Sequence, residues 1–424
     1  MTQRKPPRRP FDHLQPSDLR AAAQLATQAT RGVTRITEGV HQAVWSVMGV
    51  PGGQPEQTRG ITGFVYRTVH GVTELVGKGL EAAFTRLEPL LESLVDAPEQ
   101  TPEREAVLAA LNGVMGDRLL ESNNPLATPM SLRFRGRVLT PHAMPAAQQV
   151  NGKVLVLVHG LCMNDLQWAM TAADAHAGVG SGTAVNHGDA LAQELGYTPV
   201  YLRYNTGLHT SVNGHELARR LEELLDHWPV PVQELTLLVH SMGGLVARSA
   251  VHSAQQGALM WPRLLKNIVF LGTPHHGAPL ERAGNVLDVI LAGTPFSKPF
   301  ARLGQLRSPG ITDLRFGHVQ DADWQGHDRF RRGPDRRTPL PLPEGVACFT
   351  VAATRAARRS LLSERVIGDG LVPLASALGQ HPEPQHRLAF PKAHQWIGYR
   401  MDHWDLLRRP EVTRQIVAWL QPRI

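Results

Sequence analysis

Ser241 stands where an apolar run gives way to small residues, in Leu235-Thr236-Leu237-Leu238-Val239-His240-Ser241-Met242-Gly243-Gly244-Leu245. The first half reads as a strand buried on both faces, and the residues from Leu245 onward read as the start of a helix. A serine at such a strand-to-helix turn has its hydroxyl pushed out above the sheet edge, where it can act as a nucleophile. The turn is sharp and the helix returns close to the strand, so the small neighbours Gly243 and Gly244 are what it needs. Where the full form of this pattern has a glycine two residues before the serine, this chain has Val239. A valine there is expected to push the following helix outward without altering the serine's own turn.

A serine nucleophile needs a base to take its proton, an acid to orient that base, and donors for the oxyanion that develops. The donors are expected from two places. The run Val154-Leu155-Val156-Leu157-Val158 leads straight into His159-Gly160-Leu161, which turns the Leu161 amide towards the nucleophile, and the Met242 amide follows Ser241 directly. His159 is expected to bond its own loop, with Gly160, His240 and Gly243 supporting the site. The acid is Asp369, held between Gly368 and Gly370 after the apolar run Cys348–Ala352; an ordinary turn aspartate is the competing reading. Two histidines, His394 and His403, compete for the base. His403 is favoured because the histidine loop should lead into the closing helix, and it lies shortly before Glu411–Leu420.

These residues need strand ends on one sheet edge. From about Asn123-Asn124-Pro125 the pattern alternates strand and helix: strands at Ser131–Leu139, Lys153–Val158, Pro199–Arg203, Glu234–His240, Lys266–Leu271, Ala347–Ala352 and Arg387–Phe390. Helices fall at Leu191–Leu195, Gly214–His227, after the elbow, and at Glu411–Leu420 with Pro410 at its first turn. That order implies an α/β fold, a mostly parallel, doubly wound sheet with helices on both faces. The alternation is interrupted at about 278–346, a length that reads as a cap over the site, where Leu287, Ile290, Leu291 and Phe296 would suit an acyl chain. His275 and His276, just before it, are expected to line the site.

Residues 1–125 read as a basic tail and amphipathic helices, and 126–424 as the catalytic domain. Apolar residues recur at helical spacing in Asp18–Met48, Thr58–Leu94 and Pro102–Leu120. Arg31-Gly32-Val33-Thr34, Arg59-Gly60-Ile61-Thr62 and His70-Gly71-Val72-Thr73 echo one another, the last pair eleven residues apart. Glycine and threonine weaken a free-standing helix by up to about 1 kcal/mol each, so something external must hold these stretches. Packing against the rest of the chain is the simpler reading; a lipid surface is the sharper one.

The formal charge of +7 is concentrated in Arg4, Lys5, Arg8 and Arg9 and in Arg329, Arg331, Arg332, Arg336 and Arg337. Neither cluster is interleaved with aromatics, so no nucleic-acid partner is expected. Two cysteines, Cys162 and Cys348, provide no disulfide framework. Arg8-Arg9-Pro10-Phe11 is followed by Asp12, His13 and Gln15 instead of an apolar export segment, and no run approaches transmembrane length; the expectation is a cytoplasmic protein, peripheral at most to a membrane.

With Val158-His159-Gly160, Val239-His240-Ser241-Met242-Gly243-Gly244, Gly272-Thr273-Pro274-His275-His276-Gly277 and Gly368-Asp369-Gly370, the chain resembles α/β-hydrolase lipases and esterases. Within them it is most similar to the PGAP1-like branch, related to the GPI inositol-deacylase. The resemblance covers roughly residues 150–420, leaves the N-terminal helices outside, and agrees with the chain order Ser241, Asp369, His403. It implies hydrolysis of a carboxylic ester, lipid-like in its acyl part, through an acyl-enzyme with no metal or cofactor. Acyl transfer by the same triad, and a non-catalytic fold used to bind a lipid surface or partner, are the alternatives.

Overall fold

The computed structural model describes residues 102–169, 185–278, 308–326, 335, 337–357 and 368–421. Its strands are β1 (Ser131–Phe134), β2 (Arg137–Val138), β3 (Lys153–Val158), β4 (Thr198–Arg203), β5 (Glu234–His240), β6 (Leu265–Leu271), β7 (Ala347–Thr354) and β8 (Gln395–Tyr399). The described helices are α1 (Pro102–Glu121), α2 (His187–Leu195), α3 (Thr210–Asp226), α4 (Met242–Gln256), α5 (Pro309–Phe316), α6 (Leu374–Ala377) and α7 (Pro410–Leu420).

All eight strands form one sheet in the order β2-β1-β4-β3-β5-β6-β7-β8, with β1 antiparallel to its neighbours and every pair from β4 to β8 parallel. The central strands are apolar throughout because both of their faces are covered. Alternate residues serve opposite layers. Val154, Val156 and Val158 of β3 and Leu235, Leu237 and Val239 of β5 pack against Leu217 and Leu221 of α3 and Val246 and Ala250 of α4. Leu155, Leu157 and Leu238 face the other way, against Leu191 of α2 and Val412, Ile416 and Val417 of α7.

Two strand expectations need correction. The single strand expected over Ser131–Leu139 is a short hairpin, because Arg135 (φ 48°) and Gly136 (φ 78°) turn the chain back after Phe134. The last strand is not Arg387–Phe390. Leu388 and Phe390 are buried, but the Phe390 amide bonds the Leu388 carbonyl in a tight turn, so this segment enters no ladder. The strand that pairs with β7 is β8, beyond Pro391.

Residues 105–120 of the third amphipathic stretch form one compact unit with those from 127 onward. Gly113 of α1 lets that helix meet Cys162: a Cβ there would stand 2.2 Å from its Sγ. The Glu105 carboxylate pairs with Arg203, which also holds Asp165. The first two amphipathic stretches and the apolar cap residues Leu287–Phe296 lie outside the described residues. Among the described residues no helix is long and apolar enough to cross a membrane.

Candidate active site

Parallel pairing brings the strand ends to one edge. Val158 is in register with Val239, His240 with Leu271, Leu271 with Val351, and Thr354 with Tyr399. The residues that follow (Gly160, Ser241, Gly272, Asp369 and His403) therefore leave the sheet on the same side. Asp369 is brought back to that edge by the Arg355 amide, one residue past β7, which donates to the Gly368 carbonyl at 3.1 Å.

Ser241 takes φ 54° and ψ −126°, a conformation that side-chain-bearing residues rarely adopt and that costs on the order of 1–3 kcal/mol. Its amide is held by the Leu271 carbonyl at 2.9 Å. The helix behind it returns very close to β3: a Cβ on Gly243 would stand 2.6 Å from the Val158 and His159 carbonyl oxygens, and one on Gly244 2.0 Å from Thr273 Oγ1. Val239 is fully buried in the layer under α3 and α4, where the sharp turn tolerates it.

His403 and Asp369 are joined: Nδ1 of the imidazole lies 2.6 Å from Asp369 Oδ2, and both side chains are almost completely buried. The other carboxylate oxygen accepts the Leu371 amide at 2.9 Å and the Val372 amide at 2.7 Å, so the acid is fixed in orientation. The imidazole rests against Gly272, whose Cβ would stand 3.1 Å from His403 Cε1, and its ring centroid is 4.6 Å from that of His240. His240 immediately precedes Ser241, and Gly272 follows the carbonyl that holds Ser241. His403 is thereby held against the residues that flank the Ser241 turn. Among the described residues the Ser241 hydroxyl carries no hydrogen bond, and Nε2 of His403 is likewise open. Catalytic hydrogen bonds of this kind often close only around a substrate.

The histidine loop is fixed at three points. Asp402 accepts the Trp404 and Asp405 amides, both at 2.9 Å, and Asp405 accepts the Asp402 amide at 3.0 Å, bracketing His403. His187, fully buried, holds the Leu406 carbonyl through Nε2 at 2.9 Å and Thr413 through Nδ1 at 2.8 Å. The rival His394 lies before β8, its Nδ1 3.1 Å from the Cys348 carbonyl at the start of β7, and so belongs to the opposite sheet edge.

Two backbone amides next to the serine turn, one on the Gly160 loop and one directly after Ser241, lack partners among the described residues. Among the described residues neither the Leu161 nor the Met242 N–H is hydrogen-bonded, though both residues are buried. Buried amides are normally paired, so an open pair is a candidate oxyanion hole. A Cβ on Gly160 would stand 2.9 Å from that of Ser241, which sets how closely this loop approaches. The next amide, Cys162, is occupied by Thr206 Oγ1 at 3.1 Å. His159 stacks on Tyr204, whose hydroxyl donates to the His159 carbonyl at 2.9 Å, and the His159 Nδ1 lies 3.0 Å from the Gly160 carbonyl. Burial pulls His159 and His187 down to about 4 and His240 well below its ordinary value, so all three are neutral. Burial also pushes both thiols up to about 12, which leaves Cys162 and Cys348 unreactive.

Gly272 and Thr206 stand in motifs that carry the resemblance, but sequence assigned no role at the site to either of them, to His187 or to the Asp402–Asp405 bracket. Only Gly272, a glycine at the very end of a strand, carried a local signal. His275 and His276 were expected to line the site without a catalytic role. They line a separate cleft with Arg248 and Arg337, because the chain after Gly272 turns beneath α4, and His275 packs on Phe270 and Phe390.

The sheet order, the crossovers and the serine turn are those of the α/β-hydrolase fold. Residues 149–303 match the PGAP1-like alpha/beta domain, a segment that holds β3, the elbow and the Gly272–Gly277 loop. No curated protein matches the chain. Among solved structures, a Bacillus licheniformis lipase in mature form is 20% identical over 65% of this chain and 95% of its own, with a TM-score of 0.39. Naproxen esterase, a carboxylesterase of Bacillus subtilis, is 13% identical over 73% and 98%, with a TM-score of 0.35. An esterase of Pyrococcus furiosus is 13% identical over 64% and 82%, with a TM-score of 0.36.

Proposed function

We propose that the protein is a serine ester hydrolase acting through an acyl-enzyme. The observation that carries this is the buried His403–Asp369 pair at 2.6 Å, wedged between the residue before Ser241 and Gly272. In this reading His403 Nε2 takes the Ser241 proton as Oγ attacks the ester carbonyl, and Asp369 stabilises the imidazolium that forms. The Leu161 and Met242 amides hold the oxyanion; each such donor is typically worth about 3 kcal/mol. His403 then returns the proton to the leaving alcohol and activates water against the acyl-enzyme.

The acyl part of the substrate is apolar. Leu161 and Met242 belong to a cluster with Leu245, Ile311, Leu314, Leu371 and Val372, so the site's surroundings favour hydrocarbon over charge. Contact with a lipid surface through the echoed stretches before residue 101 is the further part of this reading. Vesicle flotation with and without residues 1–101 tests it: equal flotation removes it.

The catalytic claim is tested with a fluorophosphonate probe and an acyl-ester series. Folded protein is expected to be labelled at Ser241, Ser241→Ala is expected to remain unlabelled, and rates should rise with chain length. Labelling that persists in Ser241→Ala, or its absence in the native chain, ends the proposal.

A further inference from the structure

The cleft holding His275 and His276 carries groups that the triad does not use. Arg248 projects from α4 and is buried, and its Nη2 donates to the Leu340 carbonyl at 2.6 Å. Its Nε is buried without a partner, and among the described residues no carboxylate lies within ion-pair distance of the guanidinium. His275 is fully buried, and neither of its ring nitrogens is hydrogen-bonded. The cleft is narrow, with about 270 Å³ of empty space including its mouth, and its wall also includes Asp323, Arg337, Thr338 and His386.

The nearby acids are committed elsewhere. Asp323 accepts the Val319, Gln320 and Thr338 amides at 2.8, 2.9 and 3.0 Å. Asp335 is bound by Arg337, whose Nη1 also donates to the His275 and Gly317 carbonyls at 3.2 and 3.1 Å. Arg337 is answered by Asp335, whereas Arg248 has no carboxylate in ion-pair contact and is offset only by the field of Asp323, which is costly for a buried cation. Burial, and then the charge of Arg337, pull it down to about 10, which leaves it charged at neutral pH. Burial first, then Arg248 and His276, hold His275 neutral, so its ring offers one open donor and one open acceptor.

We infer that this cleft binds a phosphate-type oxyanion, either free phosphate or a phosphomonoester group. Such a group has several acceptor oxygens for Arg248 Nε and the His275 N–H. Its charge answers Arg248, and guanidinium–phosphate contacts are among the strong charge-assisted hydrogen bonds. The site stands apart from the ester-hydrolase reading and holds whether or not Ser241 is a nucleophile.

The test uses the full chain with inorganic phosphate, against chloride at matched ionic strength, read by calorimetry and by thermal unfolding. Phosphate is expected to bind and raise the midpoint where chloride does not. Arg248→Gln and His275→Phe should each weaken binding at least tenfold, and Arg248→Lys should weaken it less than Arg248→Gln. If Arg248→Gln fails to fold, His275→Phe with phosphorus-31 line broadening gives the same decision. A lysophosphatidic acid below its micellar concentration distinguishes the sources. Tenfold tighter binding than phosphate, lost in His275→Phe, identifies a lipid headgroup, and equal binding identifies the free ion. No binding of either, or binding unchanged in both variants, overturns the inference.

Discussion

Replacing Asp369 by Asn changes one atom and should disable the site through the tautomer of His403. In the native arrangement Oδ1 accepts the Leu371 and Val372 amides at 2.9 and 2.7 Å while Oδ2 faces His403 Nδ1 at 2.6 Å. The Asn oxygen stays with the two backbone donors and its NH₂ faces Nδ1, forcing the ring proton onto Nε2, where the base must instead be empty. Flipping the amide restores the tautomer but leaves two buried amides facing a donor, at about 1–3 kcal/mol each. At 1.36 kcal/mol per decade, that total of about 2–6 kcal/mol lowers kcat by about thirtyfold to about 10⁴-fold. The upper end matches the loss of about 10⁴ known for this replacement in a serine protease triad. The assay is steady-state hydrolysis of a chromogenic acyl ester, with fluorophosphonate labelling rates in parallel. KM and the unfolding midpoint should change little, since the turn keeps both backbone bonds. A kcat within tenfold of native, or a change confined to KM, refutes the reasoning.

Gly272→Ala places a methyl at φ 57° and 3.1 Å from His403 Cε1, so kcat should fall at least tenfold while circular dichroism shows the fold retained. Thr206→Val removes the acceptor of the Cys162 amide, which costs stability by about 1–3 kcal/mol in denaturant titration and lowers kcat more than it raises KM. Stability should also fall with acid. His159 and His187 are buried neutral with values near 4 against 6.5 when unfolded. The unfolded chain therefore takes up protons first, and stability present above pH 6.5 is lost as the pH drops towards about 4. Each contributes on the order of 3 kcal/mol. Unfolding midpoints between pH 4 and 7 check this, and His187→Gln, which keeps a donor and an acceptor, should flatten the profile.

Much of the site is legible because its chemistry depends on local sequence. A serine turn requires an apolar strand, small residues and a helix within a dozen positions, and Glu234–Ser249 contains them all. The order of strands and helices likewise follows from apolar periodicity, and it bounds the topology tightly because parallel strands need crossovers.

What the sequence could not settle was where chain segments distant in order come to rest. Leu388 and Phe390 look like a strand because they are apolar and alternate, but pairing is decided by a partner, and β7 takes Gln395–Tyr399 instead. That one choice puts His394 and His403 at opposite edges of the sheet, which the sequence signals only through the place of His403 ahead of the closing helix. His275 and His276 follow a strand end as closely as a site residue would, yet the turn beneath α4 carries them into another cleft. The types of residue that can do chemistry, and the local turns that display them, are properties of short stretches of chain. Which of them meet depends on backbone pairing and close packing between stretches that the sequence keeps far apart, and so it was decided only in three dimensions.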